Sequence, residues 1–161
     1  MKLTLQTDYA LRALIYLGVR TERLCSIREI AEAYGISEAH MVKVVHKLGR
    51  GGFAETLRGR NGGLRLGRPA SEIMIGDVVC YFEDSVALLA CLENGAETTL
   101  CKLMPACRLR SVLSQATQAM MAVLNNCTLA DVITPFEINR LTVSGGSQSR
   151  SAESRGSSVP G

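Results

Sequence analysis

The stretch from Ser26 to Leu48 most narrows what this chain can become. Ser26 followed three residues later by Glu29 forms a capping box, which starts a helix by satisfying two orphan backbone donors reciprocally. Gly35 supplies the left-handed turn that ends this helix at Tyr34, and Ser37 caps a second one. Ala31 is small where two helices must approach closely, while Ile30, Ile36, Val42 and Val45 supply apolar contact. The pattern predicts a helix-turn-helix. Its second helix, Ser37 to Leu48, should expose Glu38, His40, Lys43, His46 and Lys47 and bury Met41, Val42, Val45 and Leu48. A helix with that exposed face can lie in a DNA major groove.

The flanking segments extend this reading. Residues 8–20 are apolar on nearly every face, with Thr7 as the expected cap and Asp8 in the first turn, so a buried first helix is predicted. Gly51 and Gly52 end the recognition helix. Phe53 to Leu57 and Leu64 to Leu66 then read as two short strands around Arg58-Gly59-Arg60-Asn61-Gly62-Gly63. Glycines permit the tight turn, and arginines at its tip can lie along phosphates or enter a narrow minor groove. The hairpin is therefore read as a wing, with an ordinary charged hairpin as the plainer alternative. Ser37, His40, Lys43, Arg58, Arg60 and Asn61 are the candidate DNA-binding residues.

Charge is divided to match. The formal net charge is +3, but residues 1–69 carry 12 Lys/Arg against 6 Asp/Glu, whereas residues 70–135 carry 3 against 7. A basic N-terminal part joined to an acidic middle fits phosphate binding in one region and another task in the next.

After Pro69-Ala70-Ser71, Ile75 to Phe82 is predicted to form a short helix leading into Glu83-Asp84 and a cysteine-bearing loop over residues 85–106. Pro105 sets the first turn of a long helix over 108–124. Leu109, Val112, Leu113, Ala116, Ala119, Met120, Val123 and Leu124 recur on it at three-four spacing. That stripe needs a partner, and the same helix of a second subunit is the expected one, giving a homodimer. Thr128 should cap a last short helix from Leu129 to Ile133. Residues 144–161 are low-complexity and expected to be disordered. The fold class expected is thus mainly α with a small β wing. Its parts are a winged helix-turn-helix domain over 1–69, a connector helix and loop over 70–107, a dimerisation helix and C-terminal helix over 108–142, and a tail over 143–161.

The loop carries the chemistry. Cys91, Cys101 and Cys107 are spaced ten and six positions apart, enough slack to wrap a bulky cluster and unlike a paired C-x-x-C zinc knuckle. No secretory signal or membrane span is evident, so a cytoplasmic location is expected, where cysteines serve as thiols or metal ligands rather than disulfides. An iron-sulfur cluster is the first expectation, 4Fe-4S with 2Fe-2S as the alternative form. Three thiolates leave one iron needing another ligand. His40 and His46 are better placed for DNA, so a carboxylate from Asp8, Glu83, Asp84, Glu93 or Glu97, a water or a small thiol remains open. Cys25, Cys80 and Cys127 lie among apolar neighbours and read as small buried hydrophobes. A zinc staple and a small electron carrier are the competing readings. An enzyme is not expected: no nucleotide loop, activated nucleophile or catalytic carboxylate pair is evident.

Taken together, these residues resemble the bacterial winged-helix iron-sulfur repressors of the NsrR, IscR and RirA kind, and most of all the NsrR branch. The resemblance covers residues 1 to about 141. It rests on Leu3-Thr4 with Thr7-Asp8-Tyr9-Ala10-Leu11-Arg12, His40-Met41-Val42-Lys43, Arg58 to Gly63 with Leu66-Gly67, Gly76-Asp77-Val78-Val79, Pro105-Ala106-Cys107-Arg108-Leu109 and Thr128-Leu129-Ala130-Asp131. It implies that Cys91, Cys101 and Cys107 hold the cluster, that Asp8 supplies the fourth ligand from the partner subunit, and that nitric oxide is the signal releasing the homodimer from its double-stranded DNA operator. Arg110 stands where some members of the group carry a histidine ligand. The interval between Cys91 and Cys101 is longer than in many relatives. Regulation by iron or cluster supply is the alternative within the family.

Overall fold

The computed structural model describes residues 2–60, 62–88, 92 and 107–143. In chain order these form α1 (Leu5–Val19), α2 (Ile27–Tyr34), α3 (Glu38–Arg50), β1 (Ala54–Leu57), β2 (Gly63–Leu66), α4 (Ile75–Phe82), α5 (Arg108–Asn125) and α6 (Pro135–Val143). Short 3₁₀ turns lie at Ala70–Glu72 and Ala130–Val132. The architecture is mainly helical with one two-stranded antiparallel sheet, as expected.

Helix α1 runs through the middle, packed by α3, α4, α6 and β2. Ala10, Ala13, Leu14, Tyr16 and Leu17 line its buried side. They meet Ile30 and Ala31 of α2, Met41, Val44, Val45 and Leu48 of α3, and Val78, Val79 and Phe82 of α4 in one core. Burying each large aliphatic side chain contributes about 1.5–3 kcal/mol relative to exposure. The helix begins earlier than its sequence indicated: Thr4, not Thr7, is the cap, its hydroxyl accepting from the Thr7 N–H. Thr7 is fully buried and uses its own hydroxyl elsewhere.

The helix-turn-helix forms as its caps require. Both halves of the Ser26–Glu29 capping box are made, and Gly35 adopts φ +63° at the end of α2. Within α3 the inward face differs by one position from expectation. Val42 is 46% exposed, and Val44 at 2% takes its place in the core. Val44 and Val45 continue the stripe set by Met41 and Leu48, which leaves Val42 facing outward beside Lys43.

The hairpin pairs Ala54 with Leu66 and Leu57 with Gly63. Cys25 exchanges two backbone hydrogen bonds with Leu64, at 2.9 and 2.8 Å, so the α1–α2 linker pins β2 against the helices. Gly62 N–H reaches the Gly59 carbonyl at 3.0 Å, and a Cβ on Gly62 would collide with the Leu57 carbonyl oxygen. Asn61 lies outside the described residues.

Helix α4 occupies the predicted span, and its backbone neighbours tie it to the end of α5. Ile75 N–H donates to Cys127 O at 2.9 Å, and Leu129 N–H to Ile73 O at 2.8 Å. Thr128 caps its turn as expected, accepting from Asp131 N–H, but the turn is 3₁₀ and confined to three residues. The helix that follows, α6, was not foreseen. It has its own capping pattern, in which Thr134 accepts from Phe136 N–H and Glu137 accepts from Thr134 N–H, with Pro135 at the first helical position. Helix α6 packs on α1, and Arg20 Nη2 donates to Leu141 O at 2.6 Å.

The apolar stripe of α5 divides in two. Leu113, Met120 and Leu124 are half-buried, Leu124 against the core, whereas Leu109, Val112, Ala116, Ala119 and Val123 are exposed. No described helix is long and apolar enough to cross a membrane.

Candidate functional site

Recognition helix α3 presents His40, Lys43 and His46 outward. Ser37 fixes its first turn: the Ser37 hydroxyl accepts from His40 N–H and lies 2.9 Å from His40 Nδ1. The Tyr9 ring from α1 stands 6.4 Å from the His40 ring, centroid to centroid. Lys47, expected on the same outward face, is instead half-buried against α4.

Arg58 and Arg60 are exposed at the hairpin tip. Arg65 on β2 pairs across the strands with Glu55 at 2.8 Å, which leaves the tip arginines as the forward charges of the hairpin. Nothing among the described residues brings a carboxylate onto Lys43, Arg58 or Arg60 in a salt bridge. A surface of uncompensated cations on a helix and an adjoining hairpin can neutralise phosphates.

Asp8 sits in the first turn of α1, half-buried, with Arg12 Nε 3.0 Å from its carboxylate. One residue before it, the Thr7 hydroxyl donates to Glu83, which also accepts the Thr4 backbone N–H at 2.7 Å. Burial raises the Glu83 carboxyl, but the donors Thr7 and Thr4 outweigh that and hold it below the ordinary value. Glu83 is therefore a capping partner for the start of α1. Glu83 and Asp84, two of the carboxylates open as cluster ligands, stand where the chain leaves α4.

Of the three loop cysteines, Cys107 is described: a free, half-buried thiol at the N-cap of α5. Thiolate is the form of cysteine that binds metal. Cys91 and Cys101, with Glu93 and Glu97, lie outside the described residues. Among the described residues no three His, Cys, Asp or Glu side chains converge to hold a metal. The donors still fit an iron-sulfur group in kind, since Cys107 is unbridged and soft thiolate suits cluster iron.

The remaining cysteines differ from one another. Cys25 is buried as expected, and Cys127 is half-buried, donating to Thr128 O at 3.7 Å. Cys80 is exposed, contrary to expectation. Helical spacing places it with Asp77 and Tyr81 on the side of α4 away from the buried Ile75, Val78, Val79 and Phe82. Its apolar neighbours in sequence are not its neighbours in space. Together with Glu83, Asp84, Ser114, Thr117 and Gln118 it lines a cavity of 530 Å³ between α4 and α5.

Helix-turn-helix, wing and long following helix define the class as a winged-helix transcriptional regulator. A family model for Rrf2, described as an iron-dependent transcriptional regulator, matches residues 3–135. This chain belongs to the Rrf2 family, whose members regulate transcription and are not enzymes. Among solved structures, CymR, the global cysteine regulator of B. subtilis, is 26% identical with a TM-score of 0.68, over 83% of this chain and 96% of that one. The oxidised form of Staphylococcus aureus CymR is also 26% identical, with a TM-score of 0.65 and the same coverage. T. potens IscR shares the fold at 22% identity and a TM-score of 0.64, over 96% of this chain and 94% of that one.

Proposed function

We propose that this Rrf2 regulator is a homodimeric repressor that binds operator DNA and senses nitric oxide through a 4Fe-4S cluster. Cys91, Cys101 and Cys107 would hold the cluster, with Asp8 as the fourth ligand contributed across the dimer. The observation that carries this reading is the place of Asp8. It lies one residue from Tyr9, whose ring meets His40 of the recognition helix, and one from Thr7, which is bonded to Glu83 at the entrance to the cysteine loop.

DNA contact is assigned to Ser37, His40 and Lys43 on α3 and to Arg58, Arg60 and Asn61 on the wing. His40 and Lys43 would reach base edges or nearby phosphates, and the arginines the backbone or minor groove. A dimer would set two such helices about one helical turn apart on the duplex. The exposed seam of α5, with Leu109, Val112, Ala116, Ala119 and Val123 at alternating spacings of three and four, supports that dimer.

When bound, the cluster would supply iron with which nitric oxide reacts. Asp8, a hard oxygen donor among soft thiolates, is the weakest member of the proposed set. Asp8 stands in the first turn of α1, and α1 packs against the reading helix, so a change at its carboxylate would be passed to α3. The resemblance to the NsrR branch supports nitric oxide as the signal. Regulation by iron or cluster supply is the second reading, favoured by the iron-dependent description of the family.

Asp8→Ala tests the assignment. The variant, isolated without oxygen, should bind its operator more weakly and lose its graded response to nitric oxide. Normal binding that nitric oxide still abolishes would remove Asp8 from the ligand set. An operator response to iron depletion with none to nitric oxide would establish the second reading instead.

A further inference from the structure

Lys47 belongs by sequence to the outward face of the recognition helix, yet its ammonium turns toward the end of α4. Nζ donates to the Phe82 carbonyl at 3.3 Å and lies 4.7 Å from the centroid of the Phe82 ring and 5.7 Å from that of Tyr81. Phe82 ends α4, where carbonyls lack intrahelical partners and the helix dipole is negative, so a cation there is favoured twice. Ring faces add further attraction.

Its neighbours in that turn make equally directed contacts. Tyr81 stands edge-on to Phe53, at 5.5 Å between centroids, where the chain passes from α3 into the wing. Gly51 leaves room for this pair: a Cβ there would come within 2.8 Å of the Phe53 ring and 2.9 Å of the Tyr81 ring. Glu83 holds Thr4 and Thr7, in the turn that bears Asp8. Three consecutive residues thus touch the foot of the wing, the recognition helix and the start of α1. From there the chain runs eight residues to Cys91.

We propose that Lys47 is a positioning residue, which ties the recognition helix to the last turn of α4 rather than contacting phosphate. A shift of that turn by the cysteine loop would then move α3 and the base of the wing together. The inference rests on the DNA-binding reading above and goes beyond it by separating Lys47 from Lys43, four residues earlier and exposed.

The two roles differ in salt dependence. A cation on phosphate contributes about 0.9 to the slope of log affinity against log salt, whereas a tie made within the protein contributes none. Full-length protein isolated without oxygen, and the same preparation after chelation of its metal, would be titrated with a duplex enriched from a random-sequence pool by the wild type. Lys43→Met, present in both subunits of the dimer, should lower the slope by about 1.8. Lys47→Met should leave the slope unchanged, weaken binding by the unchelated protein about tenfold, and narrow its difference from the chelated protein. Lys47→Arg should restore binding. Should Lys47→Met fail to fold, Lys47→Gln, which removes the charge but keeps a donor for the Phe82 carbonyl, carries the slope comparison: it should leave the slope unchanged, whereas a phosphate contact would be lost in it as in Lys43→Met. A slope reduced in Lys47→Met as in Lys43→Met would place Lys47 on phosphate and overturn the proposal, as would unchanged slope and affinity together. Unchanged slopes in both Lys43→Met and Arg58→Ala would instead defeat the DNA-binding assignment itself.

Discussion

Tyr16 donates its phenolic hydroxyl to Glu29 across 2.8 Å, joining α1 to the first turn of α2. Glu29 also accepts from Arg23, with Nη1 at 3.0 Å, and returns the capping bond to Ser26 N–H. Burial opposes the charge, but hydrogen bonds from Arg23 and Tyr16 outweigh it and hold the carboxyl at about 2. A carboxyl depressed in the folded state contributes stability that is complete above its ordinary value of 4.5 and disappears as pH falls toward 2. With allowance for partial exposure, that contribution is on the order of 1–3 kcal/mol. Urea unfolding across this window should show the loss in wild type. Glu29→Gln should be weaker at neutral pH and flatter below pH 4.5.

Cys25 should behave as an inert thiol. It is 1% exposed, and burial, reinforced by Glu29, pushes its pKa up to about 11. Reactivity follows the thiolate fraction, which at neutral pH would be on the order of one part in ten thousand. Native alkylation followed by mass mapping should label exposed Cys80 readily and Cys25 last. Rapid labelling of Cys25 would show that the bridge between residue 25 and the wing opens easily.

Gly62→Ala should cost more at the wing than its size implies. The added Cβ meets the Leu57 backbone carbonyl, which cannot move without breaking the strand ends. Weaker DNA binding with little loss of global stability is the expected outcome, on the order of 1 kcal/mol by thermal unfolding. Arg58→Ala, which leaves the hairpin intact, should lower the salt slope by about 1.8, one contact being lost from each subunit of the dimer.

The exposed seam of α5 should carry dimerisation. Ala116→Glu puts a charge in its centre, where a close helix pair would leave it unsolvated. Sedimentation should show wild-type dimer and variant monomer at micromolar concentration. A variant that remained dimeric would move the interface elsewhere.

Local signals carried most of the fold. Ser26-x-x-Glu29, Gly35 and Ser37 named their helix ends because caps act over three or four residues. Long-range packing was less legible. Val42 and Val44 are chemically alike, and only the direction of the core separates them. Lys47 read as solvent-facing because its partner, the Phe82 carbonyl, lies 35 residues away. Cys80 looked buried among apolar neighbours that helical geometry turns to the other side. Helix α6 carries its own signal, Thr134-Pro135-x-Glu137, which lies only six residues beyond the Thr128 cap and merges with it in the sequence. At the candidate site, His40, Lys43, Arg58 and Arg60 are exposed where sequence placed them. The partner for Asp8 in a single chain, Arg12, follows from helical spacing of four.

Native mass spectrometry of the protein isolated without oxygen, followed by stepwise addition of nitric oxide, tests the central claim most directly. A dimer carrying four irons and four sulfides per subunit, which gains nitric oxide in steps and loses its operator in parallel, is the predicted result. One zinc per subunit with indifference to nitric oxide would contradict it, leaving a DNA-binding regulator with a structural metal staple.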